Sequence, residues 1–143
     1  MTMERERYQA ELQVLSRRLP VNAYHFRNME TMCPEVLMAA RTNSGRVYTL
    51  RIELANFPVS VPKVFVTKML KDKNGNDLSG ISGAMHTLQS ENGQTRICHY
   101  GSGSWTPNVS IYKVYVKCRL WLEMYEAHLR TGHPIEYYLN HQP

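Results

Sequence analysis

The stretch Tyr48-Thr49-Leu50-Arg51-Ile52-Glu53-Leu54 alternates apolar and polar residues without a break. A period of two puts Tyr48, Leu50, Ile52 and Leu54 on one face and Thr49, Arg51 and Glu53 on the other, the pattern of a half-buried strand. Just before it, Thr42-Asn43-Ser44-Gly45 reads as a turn, and Val36 to Ala40 is an apolar run of strand length. After it, Val64-Phe65-Val66 fits a further strand. Strand, turn, strand, short link, strand predicts an antiparallel meander, expected to hold about four strands.

A sheet with one apolar face needs a covering layer. Upstream, Tyr8, Leu12, Leu15 and Leu19 recur at steps of four, three and four, which predicts one helix over residues 4–19, stopped by Pro20. Downstream, Ile111, Val114, Tyr115, Cys118, Trp121, Leu122, Tyr125 and Leu129 form one helical stripe. Thr106 as N-cap with Pro107 in the first helical position sets its expected start, and Gly132 and Pro134 its end. That helix would be about 24 residues, or ~36 Å, long. Ile135 to Pro143 is expected to add a short turn or helix. Strands flanked by helices indicate an α+β fold, and 143 residues fit a single domain over 1–143.

Composition narrows the class. With 43% hydrophobic and 20% charged residues the chain is globular rather than disordered or fibrous. No apolar run approaches the ~20 residues of a membrane helix. The charged start Met1 to Arg7 has no apolar signal core, so export is not expected. Cys33, Cys98 and Cys118 form neither a disulfide framework nor a CxxC pair, which favours a reducing, cytoplasmic setting. The net charge is +5, but the positive residues are scattered, the densest run being Lys63, Lys68, Lys71 and Lys73. This is a bias towards acidic partners and not a nucleic-acid footprint. Neither a Walker-type phosphate loop nor metal-ligand spacing is present; His128 and His133 straddle a helix end. No cofactor or metal is expected.

Residues 68–96 hold much Gly, Ser, Asn and Lys and read as a long loop with a turn at Asn74-Gly75. Order returns at Arg96-Ile97-Cys98-His99-Tyr100. Cys118 lies on the helical stripe and reads as core, and Cys33, before Pro34, has no activating neighbour. Cys98 precedes Gly101-Ser102-Gly103, whose small residues leave room beside the sulfur.

The segment Asn92-Gly93-Gln94-Thr95-Arg96-Ile97-Cys98, followed by Trp105-Thr106-Pro107-Asn108-Val109-Ser110-Ile111, resembles ubiquitin-conjugating enzymes. So does Leu54-Ala55-Asn56-Phe57-Pro58 with Val61-Pro62-Lys63-Val64-Phe65-Val66. The resemblance covers residues 4–131. It implies a UBC-like fold, truncated after the long helix, in which Cys98 carries a protein C-terminus as a thioester. The family's His-Pro-Asn is absent, the nearest histidine being His86. An insertion of about a dozen residues lies around Lys71 to Ala84. Short, insertion-bearing forms resemble bacterial stand-alone conjugating-enzyme-like proteins of antiphage cyclic-nucleotide signalling (CBASS) operons.

The resemblance implies a supporting role for His86 in holding the loop near the cysteine. Asn92 is a candidate replacement for the missing asparagine, which stabilises the oxyanion in the family. Arg96, two residues before Cys98, would project to the same side of an extended chain and raise the thiolate fraction. His99 would project to the opposite side. Tyr100, Trp105 and Pro107 are expected to shape the cysteine pocket and helix start. Arg5, Arg7, Arg17 and Arg18 resemble the face that docks an activating enzyme. The implied partners are an activating enzyme or a cGAS-like nucleotidyltransferase, with a ubiquitin-like or other protein C-terminus as the carried group. Two rivals remain: a catalytically inactive UBC- or RWD-like interaction module, and a basic nucleic-acid binder.

Overall fold

The computed structural model describes residues 3–101 and 103–140. Helix α1 (Arg5–Arg18) leads through a single 3-10 turn at Val21–Ala23 into six strands. These are β1 (Tyr24–Arg27), β2 (Glu35–Arg41), β3 (Val47–Glu53), β4 (Val64–Val66), β5 (Thr87–Glu91) and β6 (Gln94–Ile97). Helices α2 (Ile111–Thr131) and α3 (Ile135–Asn140) follow. The fold is α+β, with one antiparallel sheet ordered β1-β2-β3-β4-β6-β5.

The alternating stretch is β3, at the centre of the meander. Tyr48, Leu50 and Ile52 face a core completed by Val36, Met38, Ala40, Val64 and Val66. Each fully buried aliphatic of this kind contributes roughly 1.5–3 kcal/mol relative to exposure. The polar side of β3 is also ordered. Arg51 bonds Glu53 (2.9 Å) and Gln94 (2.9 Å) and lies over the ring of Phe65 at 4.5 Å. That guanidinium covers Phe65, which is fully buried although its neighbours Val64 and Val66 belong to the opposite, core face.

Helix α2 lays its stripe on the core: Ile111, Val114, Tyr115, Cys118, Trp121, Leu122 and Tyr125 are buried. Leu129, expected on that stripe, is exposed, and the buried residue beside it is His128. Thr106 and Pro107 do not start α2. Val109 N–H bonds the Thr106 carbonyl at 3.1 Å, so these residues form a separate turn with proline in its second position. The helix starts instead after Ser110, whose hydroxyl accepts Lys113 N–H at 3.0 Å. Gly132, at φ 86°, ends it.

Three further expectations change. The sheet has six strands, not about four. Tyr24–Arg27 adds β1, a strand without an expected counterpart, and residues 68–96, expected as loop, contain β5 and most of β6. Asn92 (φ 53°) and Gly93 (φ 72°) form the left-handed turn of this hairpin. Lys71 and Asp77 form a small bridge around the expected Asn74-Gly75 turn. The tail beyond Gly132 forms α3 over Ile135–Asn140; the rest of the expected Ile135–Pro143 element, residues 141–143, lies outside the described residues. So does Ser102 of the small-residue loop. Among the described residues no helix is long and apolar enough to cross a membrane.

Candidate active site

Cys98 is the first residue past β6, where the ladder with β4 ends at the Val64–Ile97 pair. Its N–H bonds the carbonyl of His86 at 3.0 Å. The same carbonyl accepts Trp121 Nε1–H at 3.1 Å, and the carbonyl of Met85 accepts it at 3.0 Å. His86 itself occupies a left-handed conformation (φ 50°). Thus the main chain of His86, rather than its ring alone, ties the cysteine segment to α2.

The sulfur-bearing residue is half-buried and lines a groove of about 420 Å³. His86, His99 and Gly101 form one side of this groove, and Lys117, Leu120 and Trp121 on α2 form the other. Met124 and Leu139 extend it towards α3. The other two thiols are placed differently. Cys33 is exposed on another surface beside Glu35 and Arg51. Cys118 is fully buried, and burial pushes its thiol pKa up.

The two sequence stretches that carried the resemblance meet next to the cysteine segment. Trp105 Nε1–H donates to the carbonyl of Pro58 at 2.9 Å, and its ring meets Phe57 and Tyr100 edge-on at 6.1 and 5.4 Å. The Phe57–Pro58 peptide is cis. Lys117 Nζ sits 3.8 Å above the Tyr100 ring and 3.5 Å from the His99 carbonyl.

Among the described residues, the buried side-chain polar atoms lacking a hydrogen-bond partner are Arg96 Nε, His99 Nδ1 and Tyr100 Oη. All lie within two residues of Cys98. Buried polar atoms are nearly always paired, so their gathering in one segment marks it out. His99 donates from Nε2 to the Pro62 carbonyl (2.9 Å), which leaves the unpartnered Nδ1 as an acceptor. Burial pushes the pKa of His99 down to about 4, with the charges of Lys117 and Arg96 adding to it against the Pro62 bond. Burial also pushes Tyr100 up.

Several expected residues fall elsewhere. Asn92 is exposed at the far end of β6, with the whole strand, ~13 Å, between it and the cysteine segment. It is a turn residue and supplies no donor beside Cys98. Arg96 does not line the groove: the chain leaves the strand after Ile97, so the expected same-side projection fails. For the same reason His99, expected on the opposite side, shares the groove with Cys98.

Arg7 is not a free docking residue. It bonds Glu11 (2.8 Å) and the carbonyls of Pro107 and Val109, and lies 4.9 Å over Phe57. Arg5, Arg17 and Arg18 are exposed, Arg18 lying over the Tyr112 ring at 5.6 Å.

Lys117 and the apolar wall of Leu120, Met124 and Leu139 are groove residues that the sequence did not single out. Among the described residues no group of three or more His, Cys, Asp or Glu side chains could hold a metal ion. No family model matches the chain, and neither the curated proteins nor the solved structures yield a match.

Proposed function

We propose that this chain is a ubiquitin-conjugating-like transferase whose Cys98 accepts a protein C-terminus as a thioester. The single observation that carries the reading is the position of Cys98. It is half-buried, at the end of a strand, and opens on a groove along the long helix. The succession of helix, antiparallel meander, cysteine segment and long helix supports a UBC-type fold, as does the contact of Trp105 with the Phe57-Pro58 turn.

The chemistry asks little of the surroundings. The Cys98 thiolate attacks the carbonyl carbon of an incoming thioester, and the tetrahedral adduct expels the donor thiolate. One C–S bond forms as another breaks, so the exchange is nearly balanced. A cGAS-like nucleotidyltransferase of antiphage signalling is the carried protein this reading favours, on the resemblance to bacterial CBASS proteins. The proposed reaction stops at the thioester.

The test is intact-mass measurement after incubation with ATP, a ubiquitin-type activating enzyme and the nucleotidyltransferase or a ubiquitin-like protein. An adduct on the chain that disappears with excess thiol and with Cys98→Ala supports the proposal. Absence of any adduct, or one that survives both treatments, overturns it.

A second reading, an inactive UBC- or RWD-like interaction module, is favoured by the position of Asn92, which leaves no amide donor at the cysteine. It predicts partner binding that Cys98→Ala leaves unchanged, with no adduct at any stage.

A further inference from the structure

We infer that the groove beside Cys98 selects an extended polypeptide tail that is apolar along its length and acidic near its terminal acyl carbon. The inference rests on the thioester reading and names the chemistry of the tail that reading leaves open.

The groove wall on α2 runs from Lys117 to Met124. Seven helical steps span ~10 Å, the length of about three extended residues. Leu120 and Leu139, 43% and 39% exposed, offer apolar surface along it, with Trp121 and Met124 beneath. A tail of alternating large side chains would cover that surface and shield it from water.

Charge decides the other half of the specificity. Lys117 is the charged cation of the groove. Its ammonium rests on the Tyr100 ring and near the His99 carbonyl, and neither neutralises it. Among the described residues no carboxylate pairs with Lys117, and no Asp or Glu lines the groove. His99, held neutral by burial, adds no second positive charge, so Lys117 sets the sign of the groove. A Lys- or Arg-bearing tail would bring like charge to this site, whereas an Asp or Glu would complement it. Because Lys117 approaches the carbonyl of the residue directly after Cys98, the complementary carboxylate belongs close to the acyl end.

The test needs no activating enzyme. Two acetylated peptides are made as phenyl thioesters, each ending in Gly and differing only in Asp or Lys two residues upstream. Cys98 Sγ displaces thiophenolate from the acyl carbon, and thiophenolate takes up the proton that Cys98 lost. The full chain carries Cys33→Ser, and acylation is timed by intact mass, with Cys98→Ala as the control for site.

The Asp peptide is expected to react about 3- to 5-fold faster than the Lys peptide, the range of one partly exposed charge pair. The advantage should shrink as salt rises. Lys117→Glu should reverse the preference and Lys117→Gln abolish it, while circular dichroism reports whether each variant is folded. Equal rates in the parent chain, or a preference that both folded variants keep, overturn this inference and leave the thioester reading standing. Acylation of neither peptide at Cys98 overturns both.

Discussion

His99 is kept neutral by its burial, and that has a cost in acid. In the unfolded chain a histidine takes up its proton near pH 6.5, whereas in the fold His99 does so only at about 4. Between those values the unfolded state binds more protons, so stability falls as pH drops through that window. The shift corresponds to about 3 kcal/mol at most. Urea midpoints measured from pH 7.5 to pH 4 should therefore decline, and His99→Gln should flatten the decline. An unchanged slope in that variant would assign the acid sensitivity to other groups. Glu126 provides a contrast. Burial pushes its carboxyl up, but bonds from Tyr48 (2.8 Å), Ser44 (2.8 Å) and Thr42 (2.9 Å) outweigh it, and the net shift is downward. Removing one donor with Tyr48→Phe should lower stability by about 1–2 kcal/mol, read from denaturant unfolding.

Helix α1 and helix α2 are joined end to side by Glu11. One oxygen of this buried carboxylate accepts Ile111 N–H at 2.7 Å, at the positive end of α2, and the other accepts from Arg7. Glu11→Ala leaves the Ile111 N–H without its acceptor and takes the carboxylate from a part-buried Arg7 that keeps its bonds to the Pro107 and Val109 carbonyls, and should cost about 1–3 kcal/mol by urea titration. Glu11 was hidden in the sequence because it sits one position from the apolar face of Tyr8, Leu12, Leu15 and Leu19. Of those four only Leu15 is fully buried. The strand β3 was legible because one of its faces is apolar throughout. The hairpin β5–β6 was not, because the edge strand β5 is polar at Gln89, Ser90 and Glu91, and β6 inside it offers Ile97 as its one large apolar residue beside Gln94, Thr95 and Arg96. Its turn is written plainly in Asn92-Gly93, although the resemblance also makes Asn92 a candidate oxyanion donor. Asn92→Ala should cost about 1 kcal/mol through its left-handed φ and leave Cys98 acylation within ~2-fold. A larger loss of acylation would return Asn92 to the site. Lys117 escaped notice for a similar reason: a lysine on the solvent side of a helix carries no signal until a groove is seen beside it.

Across the whole molecule the three thiols report three degrees of shelter. Cys33 is exposed, Cys98 half-buried in its groove and Cys118 enclosed by the core. A timed pulse of N-ethylmaleimide on the native protein should add two labels, first at Cys33 and then at Cys98. The third should appear only in denaturant. A native protein taking a single label would mean that the groove does not admit small electrophiles to Cys98. The overall arrangement was legible from the helical stripe and the meander, but the contacts that close it were not. One of them joins residues 55 apart: the buried ring of His128 accepts Lys73 N–H at Nε2 (3.1 Å) and donates from Nδ1 to the His133 carbonyl (2.8 Å). The amide of Lys73 is thereby sheltered by a side chain of α2 instead of by a strand partner. Its hydrogen should exchange with deuterium in step with the last turn of α2, more slowly than the amides of Asn74, Gly75 and Asn76, which bond only within the turn to Asp72. In His128→Ala it should exchange at the rate of an open loop.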